Sequence, residues 1–142
     1  MNHSTAFADA LRERSRARLT ARQDDVIALS HSLHAEPELA YEETRSATKI
    51  ADLMEGSGFA VARGVCDLPT AFTATAGSGD LVIGICAEFD ALPGIGHACG
   101  HHVNGAAAMA AALSRRRSPT RSGSPSSCWA PRQRNTAAGR ST

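Results

Sequence analysis

The N-terminal half of the chain carries an apolar stripe at helical spacing. Val26, Leu29 and Leu33 recur every three or four residues, so they fall on one face of a helix. An aspartate pair, 24–25, precedes them, where carboxylates favour the positive end of the helix macrodipole. Pro37 disfavours helical geometry in the residue before it. The pattern predicts a helix that opens at the aspartate pair and stops before Pro37.

A second helical pattern covers residues 43–55. Ala47 and Ile50 share one face, and the glycines of Gly56–Gly58 end the pattern because glycine adopts the left-handed cap conformation without steric penalty. Residues 1–21 are polar and rich in arginine, with few apolar anchors. We expect this first stretch to be a solvated helical extension.

Three later segments have the character of strands: 59–65, 71–76 and 81–88. The last is apolar nearly throughout, which is typical of a central strand covered on both faces. The alanine-rich segment 105–113 is a strong helix former that can pack closely against a sheet. The order of elements predicts an α/β domain with a sheet flanked by helices.

The character of the chain changes after residue 113. Residues 114–142 are mainly Arg, Ser, Pro and Gly, with no acidic residue and almost no apolar one. Such a segment cannot bury enough apolar surface to offset its ordering entropy, so a disordered or irregular tail is expected. We therefore divide the chain into an extension (1–21), one folded unit (22–113) and a tail (114–142).

Composition and charge narrow the class of protein. The chain has 142 residues, 42% of them hydrophobic, and a net charge of +1, which fits one globular domain without a strong bias toward nucleic acid or membrane. No cleavable leader is expected, and the apolar run 81–87 is too short to span a bilayer. The four cysteines show no paired spacing, so we expect free thiols in a reducing cytoplasm, with Cys86 a small core residue.

Residues that can bind metal or move protons are concentrated on the loop after the third strand: Asp90, His97, Cys99, His101 and His102. Sites in α/β sheets usually lie just past the carboxyl ends of strands. Cys99 and His101 are two residues apart, so thiolate and imidazole can converge on one ion, and both are good zinc ligands. Asp90 can either orient a ligand histidine or bridge two ions.

Other polar residues are given plainer interpretations. His31 and His34 are expected on a helix surface. The acids of segment 36–43 are expected in a solvated loop, although one of them facing the site stays open. A binding role for nucleic acid or another acidic partner would use Arg115–Arg117, but the chain lacks a lysine cluster and has little aromatic interleaving. A small closed zinc module is disfavoured because too few ligands have the required spacing.

Three motifs in order give the chain a resemblance to a known family: LHAEPELAYEE (33–43), EFDALP (88–93) and GHACGH (96–101). They resemble the two-zinc aminoacylase and carboxypeptidase family, in its branch of amidohydrolases and aminoacylase-like dipeptidases. The resemblance implies part of a catalytic domain with a mixed sheet, plus a smaller inserted domain, absent here, through which members often dimerise. It also implies two zinc ions, with Mn or Co as alternatives.

The resemblance assigns roles to particular residues. Cys99 and His101 match metal ligands, and Asp90 matches an aspartate that orients a ligand. His102 stands where the family has Asp or Asn, so no role carries over to it, and none is assigned to His97. The implied reaction is hydrolysis of an amide in N-acyl amino acids, dipeptides or aminobenzoyl-glutamate, with a later Glu-Glu pair supplying the general base.

The later groups of the family do not occur in this sequence. No Asp or Glu follows Asp90, and no His follows His102. We therefore expect a truncated chain that is inactive alone. A back-translation of 128–142 with permitted codons can, in a shifted frame, encode the family's Pro-Ala-Glu-Glu segment. This suggests that residues after Ser114 are read out of frame.

Overall fold

The computed structural model describes residues 3–78, 80–115 and 124–131. Its helices are α1 (His3–Thr20), α2 (Gln23–Ala35), α3 (Thr44–Gly56) and α4 (His101–Arg115), with a short 3-10 helix at Val65–Asp67. Its strands are β1 (Ala60–Arg63), β2 (Phe72–Ser78), β3 (Ile83–Ala87) and β4 (Ser124–Pro131). The α/β class is confirmed. Within the described residues, no helix combines the length and the apolar character needed to cross a membrane.

The two helices expected from apolar periodicity are present and bury the expected faces. α2 begins with the aspartate pair in its first turn and buries Leu29 and Leu33. α3 buries Ala47 and Ile50 on one side. Its end follows the predicted logic, since Gly58 has a φ of 82° and its N–H donates to the Glu55 carbonyl at 2.8 Å.

The strands form one mixed sheet in the order β1-β2-β4-β3. β1 and β2 are antiparallel, β2 and β4 are antiparallel, and β3 and β4 are parallel. β4 (Ser124–Pro131) comes from the segment predicted to be a disordered or irregular tail. Paired on both sides, this stretch has its backbone groups bonded within the sheet. The rest of the predicted tail beyond Arg115 lies outside the described residues.

The prediction that β3 is covered on both faces is wrong for the described residues. β3 lies at an edge of the sheet, and Leu81, Val82 and Ile83 are 62%, 58% and 42% exposed. Ala87 is buried on the helix-covered face, whereas Cys86 on the other face is exposed, so its assignment to the core is wrong too. An apolar strand sequence shows that both faces could be buried. In the described residues, helices cover only one face of β3.

The core lies between the sheet and the three later helices. Its fully buried large side chains are Leu33, Ile50, Met54, Phe72 and Met109. Each such burial stabilises the fold by about 1.5–3 kcal/mol relative to exposure. α4 packs closely against the core because it presents alanines inward, and the loop that follows β3 leads directly into its first turn.

Candidate metal centre

Backbone hydrogen bonds fix the first half of the loop between β3 and α4. The Ala91 N–H donates to the Glu38 carbonyl at 2.7 Å, which ties the loop to the segment before α3. The Gly96 N–H donates to the Leu92 carbonyl at 3.1 Å and closes a small turn. Gly96 itself has a φ of 60°, a conformation that favours glycine. The loop is therefore a shaped platform.

His101 is the side chain most firmly placed on this platform. It opens α4, and its Nδ1 lies 2.8 Å from Asp90 Oδ1 and 3.0 Å from the Asp90 carbonyl oxygen. Both oxygens are acceptors, so Nδ1 carries the proton and donates. The Nε2 of a neutral ring then presents a free lone pair, which is the form that binds metal. This geometry fits the orienting role predicted for Asp90.

Glu88 faces the other nitrogen of the same ring. Its Oε2 lies 3.5 Å from His101 Nε2, with both side chains less than a fifth exposed. Two ligand atoms on one tetrahedral zinc are about 3.4 Å apart, given bonds of about 2.1 Å. The pair therefore has the spacing of two donors to one cation. Glu88 was not among the site residues predicted from the sequence, although its position two residues before Asp90 in extended chain puts both carboxylates on one side.

Cys99 has an exposed free thiol and precedes His101 by two residues. Gly100, between them, turns the chain into α4 with a φ of 82°. Among the residues that the structure describes, no group of three or more His, Cys, Asp or Glu side chains is already arranged to hold a metal ion. The structure thus brings together Glu88, Asp90 and His101, and leaves the Cys99 thiol exposed beside them.

His97 and His102 turn toward a different neighbour, His34 of α2. The His102 ring centre lies 4.8 Å from that of His34 and 5.1 Å from that of His97. Burial lowers the pKa of His97, and repulsion from a charged His102 lowers it further. Burial, followed by the charges of His34 and His31, lowers the pKa of His102. His97 and His102 are therefore neutral at pH 7. His34 is exposed as expected, but its ring also packs against the ring of His102.

The acids before α3 are not all solvated, which corrects the expectation for segment 36–43. Glu43 is 1% exposed and accepts a hydrogen bond from Thr70 Oγ1 at 2.9 Å. Burial raises the pKa of Glu43, and the charge of Asp90 raises it further. Glu43 is thus an acid of this segment whose pKa depends on the charge of Asp90 in the candidate centre.

Glu38 has a structural role in the same segment. Its carboxylate accepts from the Ser46 N–H and hydroxyl at 2.7 Å each, and from the Arg45 N–H at 3.2 Å. Those two N–H groups lie in the first turn of α3, where the helix leaves donors free. Glu38 therefore caps α3 from outside it while its carbonyl fixes the loop.

Comparison with known proteins follows the same outline. The chain is 39% identical over 94 residues to a subunit of the p-aminobenzoyl-glutamate hydrolase of Escherichia coli (strain K12), covering 54% of this chain and 20% of that protein. It is 36% identical over 120 residues to Xaa-Arg dipeptidase of Mus musculus, covering 78% of this chain and 28% of that protein. No family profile matches.

A solved structure supports the same relationship. A dinuclear metal-binding peptidase of the M20 family from Bacillus subtilis matches with a TM-score of 0.64 and 26% identity, over 78% of this chain and 35% of that one. Fold, motifs and relatives together define a metal-dependent hydrolase family. The chain is similar to members of the M20 metallopeptidase family, the family that its three motifs predicted. It spans between a fifth and about a third of the length of these relatives.

Proposed function

We propose that this chain carries the first part of the metal centre of a zinc-dependent amidohydrolase. The observation that carries the proposal is the fixed His101 ring, with its Nδ1 bonded to Asp90 and its Nε2 facing Glu88. An oriented imidazole whose free nitrogen meets a carboxylate at ligand spacing is what a divalent cation requires.

Each residue of the centre has a separate task. Cys99 and His101 are the proposed ligands, and Asp90 holds the imidazole in the tautomer that leaves Nε2 free. Glu88 adds negative charge on the ligand side of His101. A cation bound there would polarise the amide carbonyl and acidify a water molecule. Zinc suits a thiolate and an imidazole, and Mn or Co are alternatives.

The proposed substrates are amides that neighbour a carboxylate: N-acyl amino acids, dipeptides or aminobenzoyl-glutamate. Support comes from the names of the relatives, which include a p-aminobenzoyl-glutamate hydrolase and an Xaa-Arg dipeptidase. We also propose a cytoplasmic location, supported by the free thiols of Cys66, Cys86 and Cys99. Dimerisation through a domain outside this sequence is proposed by analogy with the family.

Catalysis needs a base that this sequence does not contain after the loop. No Asp or Glu follows Asp90, and no His follows His102. Proton removal from the attacking water would lack the family's glutamate. We therefore propose that the chain binds metal without turning over substrate.

A change of reading frame after Ser114 would account for the missing groups. Support comes from the abrupt change to Arg, Ser, Pro and Gly at that point, and from the shifted frame that can encode Pro-Ala-Glu-Glu. The gene sequence tests this directly. If no neighbouring frame encodes the Glu-Glu segment, the frame-shift proposal is wrong, while the metal proposal stands.

The metal proposal is tested by binding. Zinc competition against a chelator, and the thiolate absorption of the Co²⁺ form, are measured for the chain and for the variants Cys99→Ser and Asp90→Asn. Loss of an outer-shell partner typically weakens metal affinity by about 10–100-fold, and loss of a ligand at least as much. Cys66→Ser is the matched control, since Cys66 is an exposed thiol away from the loop. Equal effects of the two cysteine variants, or no zinc bound, would refute the proposal.

The absence of turnover is tested separately. The zinc-loaded and Mn-loaded chains are incubated with aminobenzoyl-glutamate, and release of aminobenzoate is followed. We expect none. Metal-dependent release that is lost in Cys99→Ser would show that a base exists after all.

A further inference from the structure

We propose a second metal site at the histidine trio His34, His97 and His102, distinct from the centre at Cys99 and His101. It would take a divalent transition ion of borderline softness, such as Cu²⁺, Ni²⁺ or Zn²⁺. The three rings come from three parts of the fold: the end of α2, the loop after β3 and the first turn of α4.

The spacing of the rings is that of imidazoles around one ion. Three imidazoles on a tetrahedral zinc, each bound through one nitrogen, hold their ring centres about 5 Å apart. In the trio the His34–His102 and His97–His102 distances are 4.8 and 5.1 Å, and the His34–His97 distance is 6.4 Å. Their nitrogens do not yet converge on one point. Side-chain rotation with a shift of about 1 Å in one ring, small against rotamer freedom, would complete the set.

Three ring nitrogens of the trio are buried and have no hydrogen-bond partner among the described residues. His97 is 6% exposed, and among the described residues neither its Nδ1 nor its Nε2 has a hydrogen-bond partner. Within the same part of the chain, His102 Nδ1 is also buried without one. The Leu33 carbonyl lies near enough to His97 to favour its protonated form, but not in bonding geometry. Buried polar atoms are nearly always satisfied, so orphaned ones are explained by a bound water or ion.

The chemistry of the trio selects the ion. Its members are imidazoles, and neutral imidazole suits Zn²⁺, Cu²⁺ and Ni²⁺, with Cu²⁺ bound most tightly. A hard cation such as Mg²⁺ or Ca²⁺ would need oxygen ligands. The trio is formed without carboxylates or thiolates.

The two centres are separable although His101 and His102 are neighbours in sequence. Successive residues on a helix point about 100° apart, so adjacent side chains can face different partners. His101 is committed to Asp90 through Nδ1, whereas the His102 ring packs on His34. Removing the first centre therefore leaves the trio intact.

The test uses the full chain with its first centre disabled by Cys99→Ser and His101→Asn. Cu²⁺ is titrated by calorimetry, and the bound ion is examined by electron paramagnetic resonance. We expect one equivalent bound, with hyperfine splitting from imidazole nitrogens. In the same background, His34→Gln and His102→Asn are each expected to weaken Cu²⁺ binding at least 10-fold.

His31→Gln is the matched control: the His31 charge reaches His102, but among the described residues the ring contacts of the cluster join only His34, His97 and His102. We expect it to bind Cu²⁺ as the background does. Equal weakening by His31→Gln would indicate nonspecific chelation by surface histidines and overturn the proposal, as would a background that binds no Cu²⁺. Matching urea unfolding curves show that a variant is folded. Zinc binding that is lost in Cys99→Ser reports on the first centre, so failure of either proposal is recognised separately.

Discussion

Gly105 sets how closely α4 approaches the strand end that carries the candidate centre, and Gly105→Ala tests this. A Cβ at position 105 would lie 3.3 Å from Phe89 Cβ, 3.6 Å from the Glu88 carbonyl oxygen and 3.7 Å from Leu33 Cδ1. The first distance is shorter than ordinary van der Waals contact. Phe89 is 4% exposed and packs near Phe72, with ring centres 6.3 Å apart, so it has little room to yield.

Two opposing effects decide the sign of the change. Glycine to alanine within a helix ordinarily stabilises by about 0.8–1 kcal/mol. Overpacking a core contact costs about 1–3 kcal/mol. Because the new methyl group meets a buried neighbour and backbone, the packing cost is larger, and we expect a net destabilisation of about 1 kcal/mol. At the size of this chain that lowers Tm by a few degrees.

Urea unfolding followed by circular dichroism measures the change, and Gly56→Ala is the matched control. Gly56 is the last residue of α3, and a Cβ there meets nothing within 4 Å. It should therefore stabilise the chain by up to about 1 kcal/mol, less any fraying at the helix end. If Gly105→Ala stabilises as much as Gly56→Ala, α4 does not approach Phe89 as closely as the structure indicates.

Further predictions follow from the acids and the sheet edge. Burial alone would raise the pKa of Glu38, but hydrogen bonds from Ser46 and Arg45 outweigh it and lower this pKa. The Glu38 carboxylate therefore stabilises the fold fully above the ordinary pKa of 4.5, and this stabilisation is lost as pH falls through the lowered pKa. Glu38→Gln should cost about 1–2 kcal/mol at pH 7 in urea unfolding and flatten that acid-side loss; unchanged stability would contradict the capping role. Burial raises the pKa of Glu43, so its effect has the opposite sign: stability falls as pH rises through the raised pKa, and Glu43→Gln should remove this fall. The double variant Leu81→Lys and Val82→Lys should reduce self-association in light scattering without lowering Tm, since both side chains are exposed; unchanged scattering would show that this edge is not sticky.

Local patterns were enough to predict the helices. The apolar stripe with Leu29 and Leu33 and the glycines at the end of α3 determine structure only within a few residues. The local sequence is therefore enough to predict these helices. The α/β class followed from the order of the elements, and the mixed sheet from the resemblance. The family was predictable because three motifs occur in order.

What escaped prediction depends on partners distant in sequence. Glu88 is recognised as a site residue only once α4 places His101 beside it. Glu43 accepts a hydrogen bond from Thr70, which lies beyond α3 in sequence. Cys86 is exposed because no helix among the described residues covers its face of the sheet, and apolar composition cannot predict whether such a layer is present.

His102 shows how such a distant partner can change the use of a helix start. The first turn of α4 has free N–H groups and the positive end of the macrodipole, which favour Asp or Asn, the residues that the family has there. A carboxylate at such a position is worth about 0.3–1 kcal/mol, and histidine forgoes it. The lowered pKa of His102, caused by burial and then by His34, keeps the ring neutral and so avoids repulsion from the helix end. A neutral ring there loses helix stabilisation but gains contact with His34 and His97. A cation would supply a partner for the buried nitrogens of His97 and His102 that have none among the described residues. The departure from the family residue is therefore better explained by the histidine trio than by the helix that carries it.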